Sequence, residues 1–112
     1  MNEKGGVVPE GVLSNQDIDL ILSTYPDEVA DAQEAYRRAE AETKRMAGKL
    51  YLQFKAVNTG KDLKETHIKS LVANDPAYYT AQMAEIVAEA KYTRLYETLM
   101  SAKKLAGLRT AF

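Results

Sequence analysis

Between Val29 and Val57 the apolar and small residues fall into a seven-residue repeat: Val29, Ala32, Tyr36, Ala39, Thr43, Met46, Leu50 and Val57, with only Gln53 out of step. A repeat of that length marks the seam of a coiled-coil helix. Tyr25-Pro26-Asp27-Glu28 supplies its start, because the residue before Pro is pushed out of helical geometry, Pro suits the first helical position and acids favour the positive N-terminus. Asn58-Thr59-Gly60 supplies its stop. The pattern therefore predicts a long helix over about 26–58, preceded by a short one over about 15–24 that is capped by Ser14 or Asn15 and places Ile18, Ile21 and Leu22 on one face. Asp62-Leu63-Lys64-Glu65 has the form of a capping box and predicts a connecting helix over 62–73, with Leu63, Ile68, Leu71 and Val72 on its apolar side. Asn74-Asp75-Pro76 opens a second long helix, which Gly107 ends, giving 76–106. Its stripe runs through Tyr79, Met83, Ile86 and Ala90 and then shifts to Ala88, Tyr92, Leu95, Leu99, Ala102 and Ala106. So broad and drifting a stripe needs more than one partner helix. Residues 1–13 hold Gly5, Gly6, Gly11 and Pro9 without helical period and read as a flexible N-terminal arm, leaving 14–112 as a single helical domain.

The fold class these elements imply is all-α: two long helices in an antiparallel coiled-coil-like hairpin, with short flanking and connecting helices. The long helices match in length, and the connector of about 17 residues permits a hairpin. Antiparallel pairing sets Asp27, Glu28, Asp31 and Glu34 beside the basic end holding Lys103, Lys104 and Arg109. On the outer face, Glu34 with Arg38, Glu40 with Lys44 and Glu42 with Arg45 are spaced to pair. A helix of 33 or so residues spans roughly 50 Å, and one compact core does not cover that length. The chain has no Trp and two Phe, and much of its apolar content is Ala. A core this modest predicts a homo-oligomer.

Composition narrows the chemistry. Cys is absent, which excludes thiol nucleophiles, thiolate metal sites and disulfides and points to a cytoplasmic location. No apolar run approaches the length of a membrane span, and the first residues lack a signal-peptide core, so no membrane partner is expected. The single His67 follows Glu65 by two positions, so on a helix the two diverge by about 200° and do not form a metal pair. There is no phosphate-binding loop. The reading is a binding protein with no catalytic residues, no metal and no cofactor.

Net charge is only −1, yet it is segregated. Residues 1–42 carry ten acidic groups against Lys4, Arg37 and Arg38; residues 43–74 carry Lys44, Arg45, Lys49, Lys55, Lys61, Lys64 and Lys69 against Asp62 and Glu65. Segregation governs partners more than the sum does. Basic groups that track a backbone, interleaved with aromatics on which unpaired bases stack, are what sequence-tolerant single-strand binding requires. The candidate nucleic-acid-binding residues are Lys44, Arg45, Lys49, Tyr51, Phe54 and Lys55, and the spacing puts Lys44, Tyr51 and Lys55 on one side of the helix. The competing reading is a solvated basic face with Phe54 packed against the connector, on a structural or adaptor coiled coil that makes only protein contacts. Gly48, on the outer face, marks a kink or a close contact, and Tyr78, Tyr79, Tyr92 and Tyr96 fit core or subunit packing better than base platforms.

The stretch Thr66-His67-Ile68-Lys69-Ser70-Leu71-Val72-Ala73-Asn74-Asp75 resembles part of the UvsY-type recombination mediators of tailed phages. Here as there, a basic long helix with adjacent aromatics precedes it, Lys49-Leu50-Tyr51-Leu52-Gln53-Phe54-Lys55, and a long helix follows, ending in Arg109-Thr110-Ala111-Phe112. The likeness covers roughly residues 44–112; the acidic residues 1–43 do not follow the pattern. It implies a ring-like helical oligomer in a phage-infected bacterial cell. Such a protein binds single-stranded DNA and helps a RecA-type recombinase displace the single-strand-binding protein. Carried over, the DNA role falls on Lys49 and Lys55, with Lys44, Arg45, Tyr51 and Phe54 as neighbours.

Overall fold

A computed structural model describes residues 14–61 and 63–111, the side chains of 110 and 111 apart. The predicted arm, 1–13, lies outside them. All regular structure among the described residues is helical: α1 Asn15–Val57, α2 Glu65–Ala73 and α3 Pro76–Ala111. These residues gather into two compact units, one formed by 14–33 with 90–111 and the other by 34–89.

α1 begins where Ser14 caps it. The Ser14 hydroxyl accepts from the Asp17 amide at 3.1 Å and the Asp17 carboxylate accepts from the Ser14 amide at 3.0 Å, a reciprocal box that satisfies two otherwise orphaned donors. Hydrogen bonding from the Ser14 amide, and secondarily from its hydroxyl, holds the Asp17 carboxyl below its usual range. The helix then continues through Pro26, where the sequence predicts a break between 24 and 26. The reason lies on the other face. Ile18, Ile21, Leu99 and Ala102 form a buried cluster, and Leu22, Tyr25 and Val29 pack on it from both sides of the proline. Breaking the helix at 25 would pull that row off the cluster. Pro26 itself is exposed, so the carbonyl it leaves without an amide partner can turn to water. In the same unit α3 continues past Gly107, the predicted stop, to Ala111. Leu105 and Ala106 pack on the cluster, and Arg109 donates to Asp19 at 3.1 Å and to Asn15 at 3.3 Å. The acidic partner is therefore Asp19, not the expected group from Asp27 to Glu34, because α1 extends back beyond Pro26 to meet it.

In the second unit the contacts again fall in opposite chain order: the Tyr36 hydroxyl reaches Glu89 at 3.5 Å, and the Thr43 hydroxyl reaches the Ala81 carbonyl at 3.2 Å while also bonding Ala39. A side chain as short as Thr reaches the backbone of a neighbouring helix only where that helix presents small residues. The row of α3 turned inward is accordingly Tyr78, Ala81, Glu85 and Ala88, of which Ala81 is buried. The expected inward residues Tyr79, Met83 and Ile86 are 61, 39 and 50% exposed, on the opposite side of the helix. Of the seven-residue repeat on α1, Thr43 and Leu50 are buried and Val57 is 78% exposed. Past Leu50 the inward positions are the half-buried Phe54 and Asn58, a step of four residues that follows the natural 3.6-residue turn rather than the heptad. α2 buries Ile68 and Val72. It starts at Glu65 instead of 62, with Lys64 at its N-cap and no side-chain cap; the predicted cap, Asp62, lies outside the described residues. Asp75 does cap α3, accepting from the Ala77 amide at 2.8 Å.

Two substitutions test this arrangement by chemical denaturation. Pro26→Ala stabilises the protein by roughly 2–3 kcal/mol if the helix is continuous; no gain, or a loss, is the result expected of a helix that starts at Pro26. Ala81→Leu destabilises by about 1–3 kcal/mol through overpacking, whereas Met83→Leu on the outer side changes stability by less than about 0.5 kcal/mol.

Candidate nucleic-acid interface

The six sequence-predicted residues all lie on the last four turns of α1, in the second unit, but not on one surface. Taking the buried Thr43 and Leu50 as the inward direction, ideal helix geometry puts Lys44, Tyr51 and Lys55 within about 40° of one another on one flank. Arg45 and Lys49 lie on the other flank, and Phe54 points inward, half-buried. Lys49 and Lys55 are about 120° apart. One basic residue outside the predicted set joins the first flank: Arg37, exposed and seven residues before Lys44, which is itself seven before Tyr51. Its place in the acid-rich part of the chain hides it, and the spacing 37, 44, 51 is the signal that reveals it.

Electrostatics separates the flanks further. Arg45 is forked onto Glu42, with contacts of 2.9 and 2.7 Å, and this hydrogen bond, helped by the charges of Arg45 and Lys49, holds the Glu42 carboxyl below its usual range. On that flank Arg45 is thereby neutralised, while Lys49 is exposed and makes no ion pair among the described residues. Arg38 is likewise paired with Glu34 at 2.7 Å. Glu40 and Lys44, also spaced to pair, form no ion pair. Arg37, Lys44 and Lys55 are exposed, and none makes an ion pair among the described residues.

Tyr51 ties this flank to the start of α2. Its hydroxyl donates to Glu65 at 2.7 Å, and Lys55 Nζ lies 5.8 Å from the centre of its ring, within cation–π range. The ring is thus held in place, with a cation over one face. Below it, at the turn after α1, a cavity of about 260 Å³ is lined by Lys55, Asn58, Thr59, Gly60, Lys61, Leu63 and Ile68. Gly60 adopts φ +88°, a conformation open to glycine but strained for most residues. Gly48 lies on the same flank, inside the continuous helix, and a side chain built there would meet nothing within 4 Å among the described residues. His67 is exposed on α2, and no group of three or more His, Cys, Asp or Glu side chains comes together among the described residues. No described helix is long and apolar enough to cross a membrane.

No family model, curated protein or solved structure matches this chain.

The hydrogen bond to Glu65, reinforced by burial and by the Glu65 charge, raises the Tyr51 phenol above its usual 10.0. The neutral phenol is the form the fold favours, so its contribution to stability is complete below pH 10 and is lost as pH rises through the higher folded value. In an ultraviolet alkaline titration, Tyr51→Phe should remove one phenol that ionises above the ordinary range, leaving that of Tyr36, which burial and the nearby Glu89 also raise. Loss of a phenol that ionises within the ordinary range would instead show that Tyr51 is not so held.

Proposed function

We propose that the protein binds single-stranded nucleic acid, single-stranded DNA in the first instance, along the flank of α1 that carries Arg37, Lys44, Tyr51 and Lys55. The observation that carries this reading is the contrast between the two sides: Arg38 and Arg45 are neutralised by Glu34 and Glu42, while Arg37, Lys44 and Lys55 stand exposed, with no ion pair among the described residues, along the row that holds an anchored aromatic ring. Unneutralised cations on a rigid helix release counterions when they meet a phosphate backbone, and a tyrosine held in position offers a face on which a base stacks. Compared with the sequence reading, the weight moves from Lys49 to Lys44 and Arg37, and Phe54 leaves the contact set because it is turned inward. Within the second unit we read the pairing of α1 with α3 as coiled-coil-like, on the seven-residue spacing of Tyr36, Thr43 and Leu50 against Ala81 and Ala88. A place in phage recombination, assisting a RecA-type recombinase against the single-strand-binding protein, rests only on the likeness of roughly residues 44–112 to the UvsY-type mediators.

Fluorescence anisotropy with a labelled single-stranded oligonucleotide, read across a salt series, tests the proposal. Wild-type protein binds at low salt, and binding weakens steeply as salt rises. Joint replacement of Arg37, Lys44 and Lys55 by Ala lowers affinity at least tenfold and flattens the plot of log K against log salt by about 0.7 for each phosphate that is no longer neutralised. Lys103→Ala with Lys104→Ala, a control pair on α3, leaves binding nearly unchanged. Absence of binding at low salt, or equal effects from the two sets, overturns it.

A further inference from the structure

The outer side of α3 in the second unit carries an apolar stripe that nothing in the described chain covers. Tyr79, Met83, Ile86 and Val87 are 61, 39, 50 and 66% exposed, and their spacing of four, three and one places them on one side of the helix, roughly opposite the row Tyr78, Ala81, Glu85 and Ala88. Scattered apolar residues on a surface need no explanation, but a continuous stripe at helical spacing does.

We propose that this stripe is where a second copy of the chain docks, in a twofold-symmetric pair of α3 helices. Three observations favour a second copy over an unrelated partner. The first is charge. An interface that meets itself across a twofold axis sets each residue near its own kind and is disfavoured by like charges. There is no charged residue from Pro76 to Ala84. Of the two acids that follow, Glu89 accepts from the Tyr36 hydroxyl of α1 at 3.5 Å, and Glu85 is half-buried on the inward row, away from the stripe. The second is register. With antiparallel helices and the axis at Met83, Tyr79 of one copy meets Val87 of the other, four residues either side. Thr80 meets Ile86, three residues either side, and Met83 meets its own mate. Every larger apolar side chain of the stripe thus finds an uncharged counterpart. The third is area. The four side chains present on the order of 400 Å² of exposed surface per copy, the size of the largest apolar patch on an ordinary monomer. With Thr80, Gln82 and Ala84 at the rim, the pair buries roughly 1,000–1,200 Å² in all, the lower limit for a specific, reversible dimer. The stripe lies on α3, apart from the basic row of α1, so the pairing does not depend on the nucleic-acid reading.

Sedimentation equilibrium of the full chain, without nucleic acid and over a wide concentration range, tests it. The average mass rises with concentration from the 12.4 kDa of one chain towards twice that value. Ile86→Lys and, separately, Tyr79→Glu weaken association at least tenfold while circular dichroism shows unchanged helix content. Leu52→Lys, at an exposed apolar position on α1, and joint replacement of Lys44 and Lys55 by Ala associate as wild type. A mass that stays at one chain throughout overturns the proposal, and so does association that survives both α3 substitutions or that Leu52→Lys abolishes equally. A second variant at a separate position keeps the test decisive should either one fail to fold.

Discussion

The hydroxyl of Thr43 reaching the backbone of Ala81 is the contact that orders the rest of the second unit. It requires the helices to approach closely, and close approach requires alanine on the facing row of α3. Once Ala81 and Ala88 are turned inward, helical geometry leaves no freedom for the remainder. Tyr79, Met83, Ile86 and Val87 must face away, and on α1 the residues a quarter-turn from Thr43, among them Lys44, must line an outer flank. The basic row and the apolar stripe are both consequences of which small residues meet.

Much of this is legible in the sequence, and the failures share a cause. The seven-residue repeat through Thr43 and Leu50 announces the seam of α1, and Asp75-Pro76 announces the start of α3, because each depends on local geometry and spacing. Pro26 and Gly107 mislead because a helix-ending signal states only a local preference of a few kcal/mol. Packing on both sides of each outweighs it: Tyr25 and Val29 around Pro26, and Leu105 and Ala106 with the Arg109–Asp19 pair around Gly107. The stripe on α3 is read from its largest residues, a rule that works when burial of area decides the face. Where distance between helices decides it, the smallest residues go inside, and the expectation for Tyr79, Met83 and Ile86 puts them on the wrong side for that reason.

The candidate site shows the same division. Residue type and spacing identify Lys44, Tyr51 and Lys55 as one surface, since four- and seven-residue steps on a helix are unambiguous. What sequence does not convey is which cations are already spent on neighbours. Glu42 is spaced to serve Arg45 and does so, whereas Glu40 is equally well spaced for Lys44 and does not. Surface pairs of this kind are worth so little that their formation turns on details of side-chain placement. Arg37 escapes a count of net charge by segment, although a ligand meets a helix by its faces.

No large side chain among the described residues is fully buried, and in the second unit the facing rows of α1 and α3 are mostly Ala, Thr and half-buried Tyr beside Leu50. Small residues bring helices together but remove little apolar area from water, so the packing that fixes the geometry contributes modestly to stability. The larger apolar side chains that would add to it stand on the outside of α3. In a chain of this size that placement costs stability unless something covers them, and covering them after α1 and α3 have paired adds area without disturbing the close contact at Thr43. Association through α3 and tight pairing with α1 are then complementary uses of the two sides of one helix: alanine sets the distance on one side, and tyrosine, methionine, isoleucine and valine are left free to supply area on the other.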